Sequence, residues 1–174
     1  EFDDLCRLHW LVLSRKALNI LEYGSGFSTV FIADACFILS NFFKDVKEIR
    51  VSKKFHIYSL EESSRFMNIT KRRLFPHLKK HVSLIKCNHK IIEYEGKLAS
   101  RCSNIPNISP DLVYLDGPSQ YATKKKINGF NFDDISRFPM SSDLLLLEYF
   151  FEPGTFIVVD GRTSNARFLK DFFK

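Results

Sequence analysis

No apolar run reaches the roughly 18 residues that a bilayer-spanning helix needs, and the N-terminus lacks the basic, apolar, small-residue order of a secretory signal. Both absences argue for a soluble, cytoplasmic protein with no membrane partner. The four cysteines, Cys6, Cys36, Cys87 and Cys102, lie far apart along the chain, with no C-x-x-C pair. Such spacing suggests neither a zinc site nor a disulfide framework, and buried thiols are the simpler expectation. The net charge of +6 gathers in short clusters such as Lys71-Arg72-Arg73, Lys79-Lys80 and Lys124-Lys125-Lys126, and no nucleic-acid module accompanies them. Solvated helix ends and loops account for these clusters, so a nucleic-acid partner is not favoured.

What is present points to one packed domain. The chain has 174 residues, 45% of them hydrophobic, enough for a substantial core. It opens on Glu1 and closes on a helical pattern over 168–174, which reads as a single domain over 1–174 that is incomplete at its C-terminus.

The most informative stretch is Leu18-Asn19-Ile20-Leu21-Glu22-Tyr23-Gly24-Ser25-Gly26-Phe27-Ser28-Thr29, an apolar strand that runs into an acid and a glycine-spaced turn before an apolar helix. Gly24 and Gly26 let the backbone turn sharply and approach a ligand closely, which places that ligand at the helix N-terminus. A dinucleotide fingerprint wants a third small residue where Thr29 stands. Glu22 is also ill-suited to a pyrophosphate, whereas it could serve a ligand carrying an ammonium group.

Further along, residues 3–15 read as an amphipathic helix and 28–43 as a helix apolar nearly all round. Strands follow at 55–60 and 81–86, with a helix over 63–73 between them. Residues 90–94 and 97–101 flank Glu95-Gly96 as a two-stranded flap in place of a crossover helix. A buried strand at 111–116, a long polar loop over 119–142, a leucine-rich helix at 143–151 and a fifth strand at 155–160 complete the chain. Alternation of this kind predicts an α/β, doubly wound, mostly parallel Rossmann-like sheet, which binds its ligand at the strands' carboxyl ends. Glu22, Glu61, Asp116 and Asp160 each close one predicted strand, gathering carboxylates along that edge. Folding alone has no use for such a row, since buried carboxylates are costly unless paired or solvated.

In this order the motifs resemble those of the class I S-adenosylmethionine-dependent methyltransferases over nearly the whole chain. The carrying residues are Leu21-Glu22-Tyr23-Gly24-Ser25-Gly26, Tyr58-Ser59-Leu60-Glu61, Asp111-Leu112-Val113-Tyr114-Leu115-Asp116-Gly117 and Glu152-Pro153-Gly154. The resemblance implies S-adenosyl-L-methionine as cofactor, with Gly24 and Gly26 bordering its methionine part, Glu61 on the ribose hydroxyls, Asp116 near the methyl group, and Glu22, Ser25 and Ser28 also among the cofactor-binding residues. Asp116-Gly117-Pro118-Ser119 lacks the Asn/Asp-Pro-Pro-aromatic signature of many base-nitrogen methyltransferases. An oxygen of a small molecule or sugar is therefore the expected acceptor, with Asp116 or Asp160 as catalytic base. Arg162, Asn165 and Arg167, at a strand-to-helix junction, are candidates for binding an anionic substrate group.

A divalent metal at Asp116 and Asp160 stays open but is not favoured, because Gly161 stands where related enzymes often carry a third ligand and Asn165 is the available substitute. The family's sheet has seven strands, whereas this chain stops after the fifth, leaving an apolar edge that a second subunit could cover. Glu61 also follows Gly24 by 37 residues, which calls for a long helix or an insertion around 44–54. A nucleic-acid methyltransferase, an NAD(P)-dependent oxidoreductase and a non-catalytic ligand-binding protein on the same fold remain the alternatives.

Overall fold

Apolar strands alternate with helices whose apolar faces need cover, and in the computed structural model this alternation resolves into a layered α/β arrangement. The structure describes residues 2–46, 53–123 and 125–173; the insertion expected around 44–54 falls mostly outside them. In chain order the elements are α1 (Phe2–Arg15), β1 (Asn19–Tyr23), α2 (Phe27–Phe42), β2 (His56–Glu61), α3 (Ser64–Arg73), β3 (Val82–Lys86), β4 (His89–Tyr94), β5 (Lys97–Cys102), β6 (Leu112–Leu115), α4 (Asp143–Leu146), β7 (Phe156–Val159) and α5 (Thr163–Phe172).

Five strands pair in parallel in the order β3-β2-β1-β6-β7. Strands β1, β2 and β6 are buried at every position, as expected of central strands covered on both faces. Successive residues point to opposite faces, so Ile20, Ile57, Leu112 and Tyr114 pack with α1 and α2, while Leu21, Tyr23, Leu60, Val113 and Leu115 pack with the hairpin, α4 and α5. No helix among the described residues is long and apolar enough to cross a membrane. β7 is only half buried and forms one edge of the sheet.

The expected flap is an antiparallel hairpin of β4 and β5. Its two turn residues, Glu95 and Gly96, have φ of 47° and 75°, the pair of positive values that matches the twist of the strands it joins. The cross-strand pair Ile91 and Ser100 is buried on one face and Ala99 on the other, and the segment after the long loop docks on β5: Ser100 N–H donates to the Met140 carbonyl at 2.8 Å and Ser142 N–H to the Ser100 carbonyl at 3.0 Å. The leucine-rich helix is shorter than expected. It makes one α turn, then a 3-10 turn over Glu148–Phe150 that leaves Tyr149 and Phe150 in solvent, so most of its first turn is buried while Leu147 and Phe151 are only partly so.

Strand order reverses between β1 and β6, and open α/β sheets place their ligand crevice at that switch point. The carboxyl ends of β1, β2, β6 and β7 converge there, bringing Glu22, Glu61, Asp116 and Asp160 to one edge as their sequence positions predicted.

Candidate cofactor site

The turn after β1 is built on its neighbours. Gly24 N–H donates to the Leu60 carbonyl at 2.9 Å, and Gly24 itself has a φ of 92°, open to glycine and strained for other residues. Gly117, after β6, lies so close that a Cβ there would stand 2.9 Å from the Gly24 nitrogen and from the Tyr23 carbonyl carbon. Two glycines thus let the turns of β1 and β6 touch backbone to backbone. Gly26 differs: a Cβ on it would meet nothing within 4 Å. No intramolecular contact demands glycine at that position, and its bareness keeps the adjacent space clear.

That space is a cavity of about 580 Å³ whose wall includes Gly24, Ser25, Gly26, Ser28, Asp116 and Asp160. The volume is within the range of small-molecule sites. Six of the residues singled out from sequence therefore share one wall. Tyr114 and the apolar Phe2, Leu5, Phe27 and Phe31, from β6, α1 and α2, complete the lining. Tyr114 escaped the sequence reading, although it stands two residues before Asp116 and so projects from the same face of β6. Its hydroxyl donates to Asp160 at 2.5 Å. Burial and the Asp160 carboxylate push the Tyr114 phenol above its ordinary pKa, so it remains a donor.

Glu22 departs from the expected ligand contact. Its side chain is 0% exposed, and its carboxylate accepts from the hydroxyls of Ser28 at 2.6 Å, Thr29 at 2.6 Å and Ser59 at 2.5 Å. It anchors the first turn of α2 from beneath the loop. Thr29, where a dinucleotide fingerprint wants glycine or alanine, has a task of its own, because its hydroxyl oxygen also accepts from Gly26 N–H at 3.0 Å. Sheet register supplies one member of the cluster, since Ser59 on β2 lies directly opposite Glu22 on β1, and the first turn of α2 supplies the other two.

Burial outweighs these three hydroxyls and raises the Glu22 pKa to about 7. A carboxyl raised above its ordinary 4.5 favours the protonated fold, so its stabilising contribution is complete below about pH 4.5 and is lost as pH rises through 7. Between pH 6 and 8 the wild type is expected to lose on the order of 1 kcal/mol that Glu22→Gln does not lose. Thermal melts of both proteins across that range check this. Parallel melting curves would contradict the assignment.

Glu61 stands behind the loop, outside the lining of the cavity. One carboxylate oxygen accepts from Ser25 N–H at 2.9 Å and from the Ser25 hydroxyl at 2.8 Å, and the other from Ser63 N–H at 2.7 Å. Glu62, which follows it, accepts from Ser119 N–H at 3.0 Å and ties the tip of β2 to the turn after β6. Asp116 is half exposed at the cavity. Burial of its other half and the nearby Asp160 raise it to about 6, against the lowering influence of Arg162.

The expected anion site at the start of α5 is corrected in two of its three residues. Arg162 is buried, and its guanidinium donates to the carbonyls of Pro118 and Asp116, both at 2.7 Å, with Nε 3.9 Å from the Asp116 carboxylate. It fastens the turn after β6 instead of facing a substrate. Asn165 is fully buried, and its carbonyl oxygen accepts from Ser141 N–H at 3.1 Å, holding the end of the long loop. It is therefore removed both as a substrate contact and as a substitute metal ligand. Arg167 is exposed on α5, outside the cavity wall.

No family model and no curated protein matches the sequence. Solved structures do. A protein from Klebsiella pneumoniae described as an O-methyltransferase superposes over 96% of this chain and 59% of its own, at 16% identity and a TM-score of 0.52. The O-methyltransferase TomG from Streptomyces achromogenes, involved in tomaymycin synthesis and solved with S-adenosylmethionine, matches over 69% of this chain and 46% of its own, at 18% identity and a TM-score of 0.44. A precorrin-6y C5,15-methyltransferase from Geobacter metallireducens matches over 95% and 71%, at 14% identity and a TM-score of 0.47. The chain thus has the class I methyltransferase fold while spanning 59% of the length of the Klebsiella protein.

Proposed function

We propose that this chain binds S-adenosylmethionine and transfers its methyl group to an oxygen of a small molecule or sugar. The observation that carries the proposal is the convergence of the Gly24-Ser25-Gly26 turn with Asp116 and Asp160 on one cavity, with Glu61 hydrogen-bonded to the back of that turn. The charge balance favours a cationic ligand: carboxylates close β2, β6 and β7 around the turn, and the nearby Arg162 is spent on backbone carbonyls. A pyrophosphate would meet a predominantly negative edge, whereas an amine and a sulfonium suit it.

The residues fit this cofactor. Bare space over Gly26 leaves room for its methionine part. Glu61 uses three of its roughly four acceptor positions on Ser25 and Ser63. Glu61 is buried behind the turn, so a ribose hydroxyl reaches it once the Ser25 hydroxyl rotates aside and opens that acceptor position. S-adenosylmethionine, when bound, supplies a methyl group already activated by its sulfonium. What remains for the chain is alignment of the acceptor, which can contribute several kcal/mol, and removal of one proton. Asp116, at about 6, is ionised at neutral pH and close to the range of an effective general base. Asp160, held by the Tyr114 hydroxyl, is the second acceptor beside it.

The test is transfer of an isotopically labelled methyl group from the cofactor to a panel of sugars, hydroxylated acids and phenols, with single-stranded nucleic acid as a separate arm. Label in a hydroxyl-bearing small molecule supports the proposal. Label confined to the nucleic acid, with binding that falls steeply with salt, would replace it with the alternative reading.

A further inference from the structure

The cysteines that look unrelated along the chain meet at the base of the hairpin. Cys87 directly follows β3, and His89 opens β4 two residues later. Antiparallel register sets Cys102, the last residue of β5, directly opposite His89. The two sulfurs and an imidazole nitrogen lie within 4.8 Å of one another, and Cys87 Sγ is 3.1 Å from His89 Nε2. Both cysteines are buried, and the His89 side chain is 3% exposed.

From these positions we infer a structural metal site for a zinc-type ion, held by Cys87 Sγ, Cys102 Sγ and His89 Nε2, with the Glu62 carboxylate as fourth ligand. Tetrahedral zinc with ordinary Zn–S and Zn–N bonds places its ligand atoms about 3.5–3.8 Å apart, so the observed spacing needs only small adjustments to close around an ion. Glu62 Oε2 lies 3.7 Å from His89 Nε2 but outside the Cys87–His89–Cys102 group, so its side chain must turn toward the sulfurs to complete the coordination. Every polar approach to the imidazole is on its Nε2 side, since Nδ1 is buried with no hydrogen-bond partner. Two thiols beside an imidazole offer the soft donor set that selects zinc over magnesium or calcium.

Binding would release the two thiol protons to solvent. Two thiolates and Glu62 against a divalent ion leave one negative charge, and the charge of the Arg162 guanidinium acts on both His89 and Glu62. The site would clamp the hairpin to the tips of β2 and β3, where Cys87 N–H already donates to the Glu61 carbonyl at 3.0 Å. It is separate from the aspartates of the cofactor cavity and does not depend on the methyltransferase reading.

The test uses the purified chain, fully reduced and freed of metal, titrated with zinc and separately with cobalt(II). The expected result is one equivalent bound, a thiolate-to-cobalt charge-transfer band, and a ligand-field spectrum of tetrahedral intensity. Cys102→Ser should remove the charge-transfer band or weaken it with at least a 100-fold loss of affinity, and Glu62→Gln should shift the ligand-field bands while retaining it. Cys6→Ser, at an exposed thiol, should change neither. If Cys102→Ser does not fold, His89→Gln should lower cobalt affinity by at least 100-fold while any bound ion keeps a thiolate charge-transfer band. A folded, reduced protein that binds no stoichiometric ion would overturn the inference, as would a Cys87–Cys102 disulfide found by peptide mapping in the protein as purified.

Discussion

Asp116→Asn and Asp160→Asn are each expected to bind S-adenosylmethionine nearly as well as the wild type and to lower turnover by about 100-fold or more, the usual scale for losing a positioned general base. Both carboxylates line the cavity beside the glycine turn, yet neither supports that turn with its side chain. Gly24 is instead held by the Leu60 carbonyl, and Ser25 by Glu61. Binding and chemistry should therefore separate. Asp116 carries the further expectation of a pH signature: a base at about 6 works only when ionised, so turnover should fall as pH drops below 6 and level off above 7. Loss of that limb in Asp116→Asn would identify Asp116 as the base, while its persistence would move the role to Asp160. Unchanged turnover in both variants would remove the aspartates from the mechanism.

Glu61→Ala is expected to weaken S-adenosylmethionine binding by about 100-fold, which corresponds to ~2.7 kcal/mol. Hydrogen bonds to a charged acceptor contribute about 1.5–3 kcal/mol each, and this variant loses the acceptor for the ribose as well as the tether on Ser25. Glu61→Gln separates the two effects. Its amide oxygen can still accept from Ser25 N–H, so the loop stays in place while the charge and one acceptor oxygen are gone, and an intermediate loss of affinity should result. Equal affinity for wild type and both variants, measured on folded proteins, would show that the tip of β2 holds no part of the ligand.

The framework of this site was legible because it is local. An apolar run ending in an acid and two glycines specifies a strand and its turn within a dozen residues, and Glu61, Asp116 and Asp160 could be placed on one edge once the strands were taken as parallel. The flap was readable for the same reason, as its turn is a dipeptide signal. What was hidden is what long-range packing decides. Arg162 looks like an anion ligand in isolation, but its partners are carbonyls 44 and 46 residues away. Asn165 likewise answers to Ser141 across a loop whose course the residues themselves do not dictate. Glu22 has the right residue type for a cofactor contact, and only the fold shows that Ser28 and Thr29 of the first turn of α2 and Ser59 of the paired β2 already surround it. The same register effect on β4 and β5 joins Cys87, His89 and Cys102, a grouping that spacing along the chain conceals.

Calorimetric titration of the purified chain with S-adenosylmethionine, and in parallel with NADH, tests the central claim most directly. The account predicts saturable micromolar-range binding of S-adenosylmethionine, no measurable heat from NADH, and loss of the first signal in Glu61→Ala. Binding of NADH in its place, or of neither ligand by a chain shown to be folded, would contradict it.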